Sequence, residues 1–587
     1  MASDKEGKLA LIIFAVAIFF SYVHPYHIHP YRTFYHELIV FLGLAAALAY
    51  FVVSRPAQHP QVLVQDTITS SSEARLSFPV LLLLPLGIVL MIVAQTLAGL
   101  IQPAMMTAFP VMYLLMFGVA IVFGASLALT RDGPERAVNA FALANLLAAV
   151  TSLLFQHVQI LGLNATPLVM YIAKDPHAAM RPYANVAQPN QLALLYFFAL
   201  SSVWFFYRSK RMPSWFCIGL AALLLWGIVL TQSRIGWILV PLFFLYTVSK
   251  LGHYKRSGAL IMVGLVILYA LLTIFLPQIS QAIGFSGGSV ADHIGGRSER
   301  TVLWQTAWQL AKDHPLFGVG WFGYGVGQVG IAAQFASSTY AEHAHNLPLN
   351  LAAELGIPAA LLIMGGLAWW FYQTCFKPQK KLVLQFATLS FFAVGVHSMV
   401  EFPLWYGFVL LPVGVLMGMV HQMRWPSTGT VVNPAAVLAG FALVCALIAA
   451  VTLDYQRVIV GFKILRNVQQ GYRPMEELLQ KPEYTLFPQF FEYFKLTRIK
   501  PVEGMSAEDI AYVETWSKRF GFVHILNAQA EIYVLNGQSQ KAEHTMLTLQ
   551  RLHPIFYPEY YDYWKAKAAQ DERYKTIFLT MPPRDAP

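Results

Sequence analysis

Apolar runs of about twenty residues recur along most of the chain, separated by short polar turns, and the pattern stops near residue 453. A helix needs roughly 20 mostly apolar residues to cross the hydrocarbon core of a bilayer. Thirteen segments meet or approach that length: 8–23, 37–54, 78–100, 104–130, 138–163, 190–207, 213–231, 235–250, 257–279, 347–374, 382–399, 404–422 and 435–453. The shorter ones leave room for re-entrant pieces. Longer polar stretches, 164–189 and 280–346, interrupt the series, and 454–587 contains no such run. The pattern predicts an all-α polytopic membrane protein with about 13 transmembrane helices in residues 1–453, followed by a soluble helical domain in 454–587. The first run is followed by His24-Pro25-Tyr26 and not by a small-residue cleavage site, so it reads as a retained span. In the tail, Ala530, Tyr533, Gly537, Ala542 and Pro554 match the spacing of one tetratricopeptide (TPR-like) hairpin, the mark of a protein-contact module.

Composition agrees with that reading. The chain is 57% hydrophobic and only 12% charged, against about 25% charged residues in an ordinary soluble domain. Disorder and a purely soluble enzyme are excluded. Three cysteines, Cys217, Cys375 and Cys445, all in apolar surroundings, make neither a disulfide framework nor a metal knuckle. The net charge of +10 would suit a nucleic-acid partner only if it clustered on one face. With the N-terminus inside, the segments that would be cytoplasmic hold 16 Lys and Arg, the opposite side of the membrane portion holds 7, and the tail holds 17. The acids divide as six, eight and sixteen, so the whole excess lies inside, where it sets topology. The tail is therefore expected outside, and no nucleic-acid partner is needed.

Against that bias, the few outward arginines become informative. Among them are Arg181, Arg234, Arg297 and Arg300. An arginine at the interface can simply meet lipid headgroups. Several together also suit an anionic ligand, because the planar guanidinium fork donates two parallel hydrogen bonds to phosphate. A pyrophosphate-bearing lipid in the outer leaflet fits. The run Glu342-His343-Ala344-His345-Asn346 ends the second polar stretch. Either histidine can serve as a general base near neutral pH, or cap the helix that follows. His343-x-His345 could suggest a metal site, but carboxylates near it are sparse and no HExxH-type helix spacing exists. His397 and Glu401 stand four apart, so on a helix they would share a face, and burying both calls for a partner or a substrate. The first outer loop, His24 to Glu37, is rich in His and Tyr, as an interfacial aromatic belt would also be.

The run His343-Ala-His345-Asn346-Leu-Pro-Leu-Asn-Leu-Ala-Ala-Glu354-Leu-Gly356 resembles the signature of the O-antigen ligase/polymerase superfamily. Three further pieces narrow the likeness: Gln188-Pro189-Asn190-Gln191-Leu192-Ala193, Thr231-Gln232-Ser233-Arg234 and His397-Ser-Met-Val-Glu401-Phe-Pro-Leu. Together with Pro30-Tyr-Arg-Thr-Phe-Tyr-His-Glu37 they resemble the PglL-type bacterial O-linked protein oligosaccharyltransferases, which include pilin glycosylases. The likeness covers roughly residues 20–430 and, more loosely, the tail.

The resemblance implies metal-independent transfer, without a cofactor, of a glycan from undecaprenyl pyrophosphate to Ser or Thr of an exported, pilin-like protein. The site would face the periplasm, and the protein would sit among the lipids of the bacterial inner membrane. It implies His345 as the base, with His343 as a competing assignment, and Arg234 and Arg300 as diphosphate ligands. Arg181 is a further candidate, and Arg297 can exchange with Arg300. Asn346, Glu354, Gln188, Asn190, His397, Glu401 and Glu37 are implied as supporting residues, and the acceptor would contact 454–587. The competing readings are an O-antigen ligase or glycan polymerase using the same donor, and a transporter of lipid-linked glycan. For the last, no internal repeat is evident.

Overall fold

A computed structural model describes residues 2–54, 75–172, 179–251, 255–288, 299–376, 381–469 and 476–585; Arg297 lies outside them. Among the described residues, ten helices are long and apolar enough to cross a membrane: Phe34–Val53, Val80–Leu97, Ala104–Ala128, Gly133–Leu161, Pro189–Arg208, Ser214–Thr231, Arg256–Ile274, Ile357–Phe376, Gly407–Arg424 and Pro434–Asn467. Three shorter apolar helices, Gly7–Val23, Ile235–Ser249 and Leu382–Ser398, fall on the other predicted runs.

Boundaries differ from the hydropathy pattern in three places. The run 347–374 is not one helix: Leu347–Leu355 stops at Gly356, and Ile357–Phe371 begins anew. Gly356 has φ +89° and ψ 160°, a region that side chains avoid, and a Cβ there would collide with the Leu316 carbonyl. The last run does not end at residue 453, because Pro434–Gln469 is one continuous helix. Past the apolar stretch it changes to an amphipathic pattern, with Tyr455, Val458 and Ile459 buried. The stretch 280–346 is not a plain loop either. It contains the helices Glu299–Asp313 and Tyr324–Ile331.

By internal packing the chain forms two compact units. One comprises Met1–Gly87, Met112–Gly296 and Leu367–Ala450. At its centre lies Pro189–Arg208, whose residues from Gln191 to Leu200 are almost wholly buried. A helix apolar all round is a buried helix, so the N-terminal end of this one is held firmly in place. Elsewhere in the unit, the helices carrying Gly124 and Gly418 touch backbone to backbone. A Cβ on either glycine would collide with the carbonyl of Val415 or Ile121, the small-residue contact by which helices associate in lipid. Two residues, Arg75–Leu76, pair antiparallel with Thr430–Val431.

The other unit comprises Ile88–Val111, Arg297–Gly366 and Val451–Pro587. Its C-terminal part is helical: Pro488–Leu496, Ala507–Arg519, Val523–Leu535, Ser539–Leu552, Tyr557–Ala568 and Glu572–Thr580. Val523–Leu535 and Ser539–Leu552 form a hairpin in which Ala530 and Ala542 are fully buried. The apolar core of these helices also takes in Val329 and Ala332 from the 280–346 stretch. A polar cluster lies within it. Glu531 accepts hydrogen bonds from Asn527 Nδ2 at 2.8 Å, Tyr563 OH at 3.0 Å and Tyr574 OH at 3.2 Å, while Trp564 Nε1 donates to Asn527 Oδ1 at 2.8 Å. A satisfied buried network of this kind rigidifies the core.

Candidate active site

In the first unit, three of the sequence motifs and the Arg181 loop converge on Asn190. Gln188 caps the central helix by accepting from Gln191 N at 2.7 Å, with Pro189 in the first turn. That places Asn190 at the helix entrance. Its Oδ1 accepts from Arg181 Nη2 at 3.1 Å and from Ser233 Oγ at 2.8 Å, while its Nδ2 donates to Glu401 Oε1 at 2.7 Å. One amide therefore links a cation to a buried carboxylate. Arg181 Nε also donates to Thr231 O at 3.0 Å, so at least two of its five donors are committed within the protein.

The Thr231–Arg234 turn is shaped by Gln232, which closes Ser214–Thr231 in the left-handed region at φ +50°. Its side chain donates to Met180 O at 2.6 Å and accepts from Gly288 N at 3.0 Å. An open recess lined by Gln232, Ser233, Trp237, Tyr269, Thr273 and Gly288 adjoins the turn. Arg234 follows Ser233 as the cap residue of Ile235–Ser249. It is exposed, and its guanidinium makes no hydrogen bond or ion pair among the described residues, while its carbonyl accepts from Trp237 N at 3.1 Å. That is the condition of a cation still able to take a ligand.

Glu37 is buried on Phe34–Val53 and accepts from Gly407 N at 2.5 Å, at the start of Gly407–Arg424. A carboxylate at a helix N-terminus is favoured by the exposed N–H groups and the helix dipole. His397 is fully buried. The expectation that His397 and Glu401 share one helix face is corrected, because the helix ends at Ser398 and Glu401 lies in the turn beyond it.

The second unit carries the histidine motif. Asn346 caps Leu347–Leu355 by accepting from Leu349 N at 3.0 Å. His345, immediately before it, has φ +50°. A non-glycine residue held there costs of order 1–3 kcal/mol, and such residues cluster at functional sites. Ala344 N donates to Asn350 Oδ1 at 2.9 Å, which pulls the histidine segment onto the helix it precedes. Glu354 is fully buried on that helix and accepts from Tyr324 N at 3.4 Å. The backbone around it is fixed too: Gly320 N donates to Glu354 O at 3.2 Å, and Gln95 Nε2 donates to the same carbonyl at 2.8 Å. His343 is half-buried, with its ring 6.4 Å from that of Phe322. Burial first, and the neighbouring His345 second, push its pKa below the ordinary histidine value. It is held neutral. Arg300 is half-buried on Glu299–Asp313. Among the described residues no three His, Cys, Asp or Glu side chains are grouped as metal ligands.

Several residues that build these arrangements carry no motif. Gln159 accepts from Tyr183 N and Ala184 N at 3.1 and 2.9 Å and donates to Met170 O at 2.8 Å, and Gln156 donates to Pro182 O at 2.9 Å. These two glutamines hold the Arg181 loop. Their signal was present in the sequence, as polar residues inside an apolar run, which are costly in a bilayer and mark a task. Tyr324, Gln328 and Arg519 had no comparable signal, since each sits in an already polar stretch.

Comparison with known proteins agrees with the motifs. Residues 219–364 match the O-antigen ligase family, and residues 385–571 match the family described as virulence factor membrane-bound polymerase, C-terminal. The chain is 25% identical over 563 residues to the general O-oligosaccharyltransferase of Acinetobacter baylyi, covering 93% of this chain and 92% of that protein. It is 28% identical over 251 residues to the ComP-specific O-oligosaccharyltransferase of the same organism, covering 42% of this chain and 44% of that protein. Together with the four motifs in order along a polytopic helical chain, these matches support the resemblance to the O-antigen ligase superfamily and, within it, to the PglL-type O-oligosaccharyltransferases.

Proposed function

We propose that this chain transfers an oligosaccharide from undecaprenyl pyrophosphate to a serine or threonine of an exported, pilin-like protein at the periplasmic face of the inner membrane. His345 is the general base. It takes the proton of the acceptor hydroxyl as that oxygen attacks the anomeric carbon, and the bond from that carbon to the pyrophosphate breaks. The observation that carries this reading is the left-handed backbone of His345 directly ahead of the Asn346 cap. A neutral hydroxyl is a weak nucleophile and needs a base within hydrogen-bond reach. Arg234, Arg300, Arg181 and Arg297 are assigned to the diphosphate, with Arg234 foremost because it is exposed and uncommitted. Preorganised donors aimed at developing charge contribute roughly 3–4 kcal/mol each, enough for arginines to serve where other enzymes use a metal ion. The C-terminal helices are assigned to acceptor contact.

His345→Ala is expected to abolish glycosylation of the exported acceptor, read by mass spectrometry, while the variant still inserts in the membrane. Near-normal transfer would remove His345 from the base role. Arg234→Ala is expected to lower transfer by about 100-fold or more, and chelation by EDTA to leave it unchanged. A second reading, ligation of O-antigen to lipid A-core, is favoured by the family match over 219–364. Offering one lipid-linked glycan to membranes with either a pilin or lipid A-core distinguishes the two.

A further inference from the structure

Within the unit that carries His345, one other described non-glycine residue has a positive φ: Phe322, at +61°. An aromatic residue is not at ease there, and such a conformation persists only when its surroundings over-determine it. Phe322 is held on three sides. Its N–H faces the Glu354 carboxylate, its ring lies beside that of His343, and its carbonyl accepts from Arg519 Nη1 at 2.7 Å.

Arg519 is the last residue of Ala507–Arg519 in the C-terminal helices. A cation there suits the helix dipole, yet its guanidinium is aimed at the carbonyl of a residue far away in sequence. The same region grips the segment that leads to the histidines. Ser338 N donates to Arg551 O at 2.7 Å, Tyr340 N donates to Leu552 O at 3.2 Å, and Tyr340 OH donates to the carbonyl of Arg519 itself at 2.9 Å. Gln328 ties the far side of this segment by donating to Thr339 O at 3.0 Å and accepting from Ala341 N at 2.9 Å.

We propose that Arg519 is a positioning residue for glycosyl transfer: by fixing the Phe322 carbonyl it keeps Phe322 against His343 and Glu354, and so holds the His343–Asn346 segment in its working conformation. The C-terminal helices are then part of the catalytic apparatus as well as a surface for the acceptor. This rests on the reading of His345 as the base.

The test uses the full-length protein in detergent, with an undecaprenyl-pyrophosphate-linked oligosaccharide as donor and a serine-bearing pilin as acceptor. Arg519→Met keeps the bulk and removes the donors. It is expected to lower kcat about 10- to 100-fold, the scale of a small displacement of a catalytic group, with KM for both substrates within about twofold. Arg519→Lys should recover much of the loss. An unchanged kcat, or a loss confined to KM for the pilin, overturns the proposal. The same holds if Arg519→Lys is no better than Arg519→Met. Should Arg519→Met lose its cooperative unfolding, Tyr340→Phe decides, because it removes only the hydroxyl on the Arg519 carbonyl. A lowered kcat supports the proposal and a wild-type kcat overturns it. His345→Ala is assayed beside them. If it stays active, the base assignment falls, whereas an inactive His345→Ala beside a fully active Arg519→Met sinks the positioning role alone.

Discussion

Asn190 satisfies a cation, a hydroxyl and a carboxylate with one side chain, and no residue adjacent in sequence does any of that work. Its motif was visible, but its partners Arg181, Ser233 and Glu401 come from three other segments, which only folding brings together. The histidine motif behaves differently. Asn346 before an apolar helix reads directly as a cap, whereas the left-handed φ of His345 has no signature in residue type. His343 also carries a consequence for stability. Its folded pKa lies below the ordinary 6.5, so below about pH 6.5 the unfolded chain binds a proton that the folded chain refuses. Stability conferred at neutral pH is therefore lost as the pH falls through that value. Tm of the detergent-solubilised protein is expected to fall from pH 6.5 to pH 5, and to fall less steeply for His343→Gln. Equal slopes for the two proteins would contradict this.

Among the elements, the break at Gly356 matters most for the site. Hydropathy reads 347–374 as one span, because it registers only apolar character and passes over the Gly356-Ile357-Pro358 break. The structure instead uses a conformation essentially reserved for glycine to end Leu347–Leu355 and start Ile357–Phe371. The short helix capped by Asn346 and anchored by Glu354 thereby becomes an element of its own. Gly356→Ala should meet both the backbone cost, of order 1–3 kcal/mol, and the collision with the Leu316 carbonyl. The expected outcome is a lower Tm together with loss of transfer activity. A variant that melts with the wild type would show that the helix break is dispensable. The central helix Pro189–Arg208 was legible as a span, but its burial on every side was not, since a lipid-facing and a protein-facing apolar residue look alike in sequence.

Charge acts at the scale of the whole molecule. Sixteen Lys and Arg lie in the segments assigned inside and seven outside, apart from the tail, a bias that orients polytopic proteins. It is expected to place Arg131 in the cytoplasm and Glu508, exposed on the C-terminal helices, in the periplasm. A cysteine replacing Glu508 should react with a membrane-impermeant maleimide in intact spheroplasts, and one replacing Arg131 only after permeabilisation. The reverse pattern would invert the topology and move the His345 motif to the wrong side for an exported acceptor.

By itself the sequence determined the apolar segments, the side to which charge inclines them, the family likeness, and the residue types from which the site is made. All of these are properties of length, period and local pattern, which a chain carries before it folds. Tertiary structure decided which polar groups meet: Glu37 on Gly407, Glu401 on Asn190, Arg519 on Phe322. It also decided that the C-terminal helices share a core with the stretch before His345. Such contacts join residues far apart in sequence. They exist because a buried donor, carboxylate or strained backbone is tolerated only where another segment satisfies it.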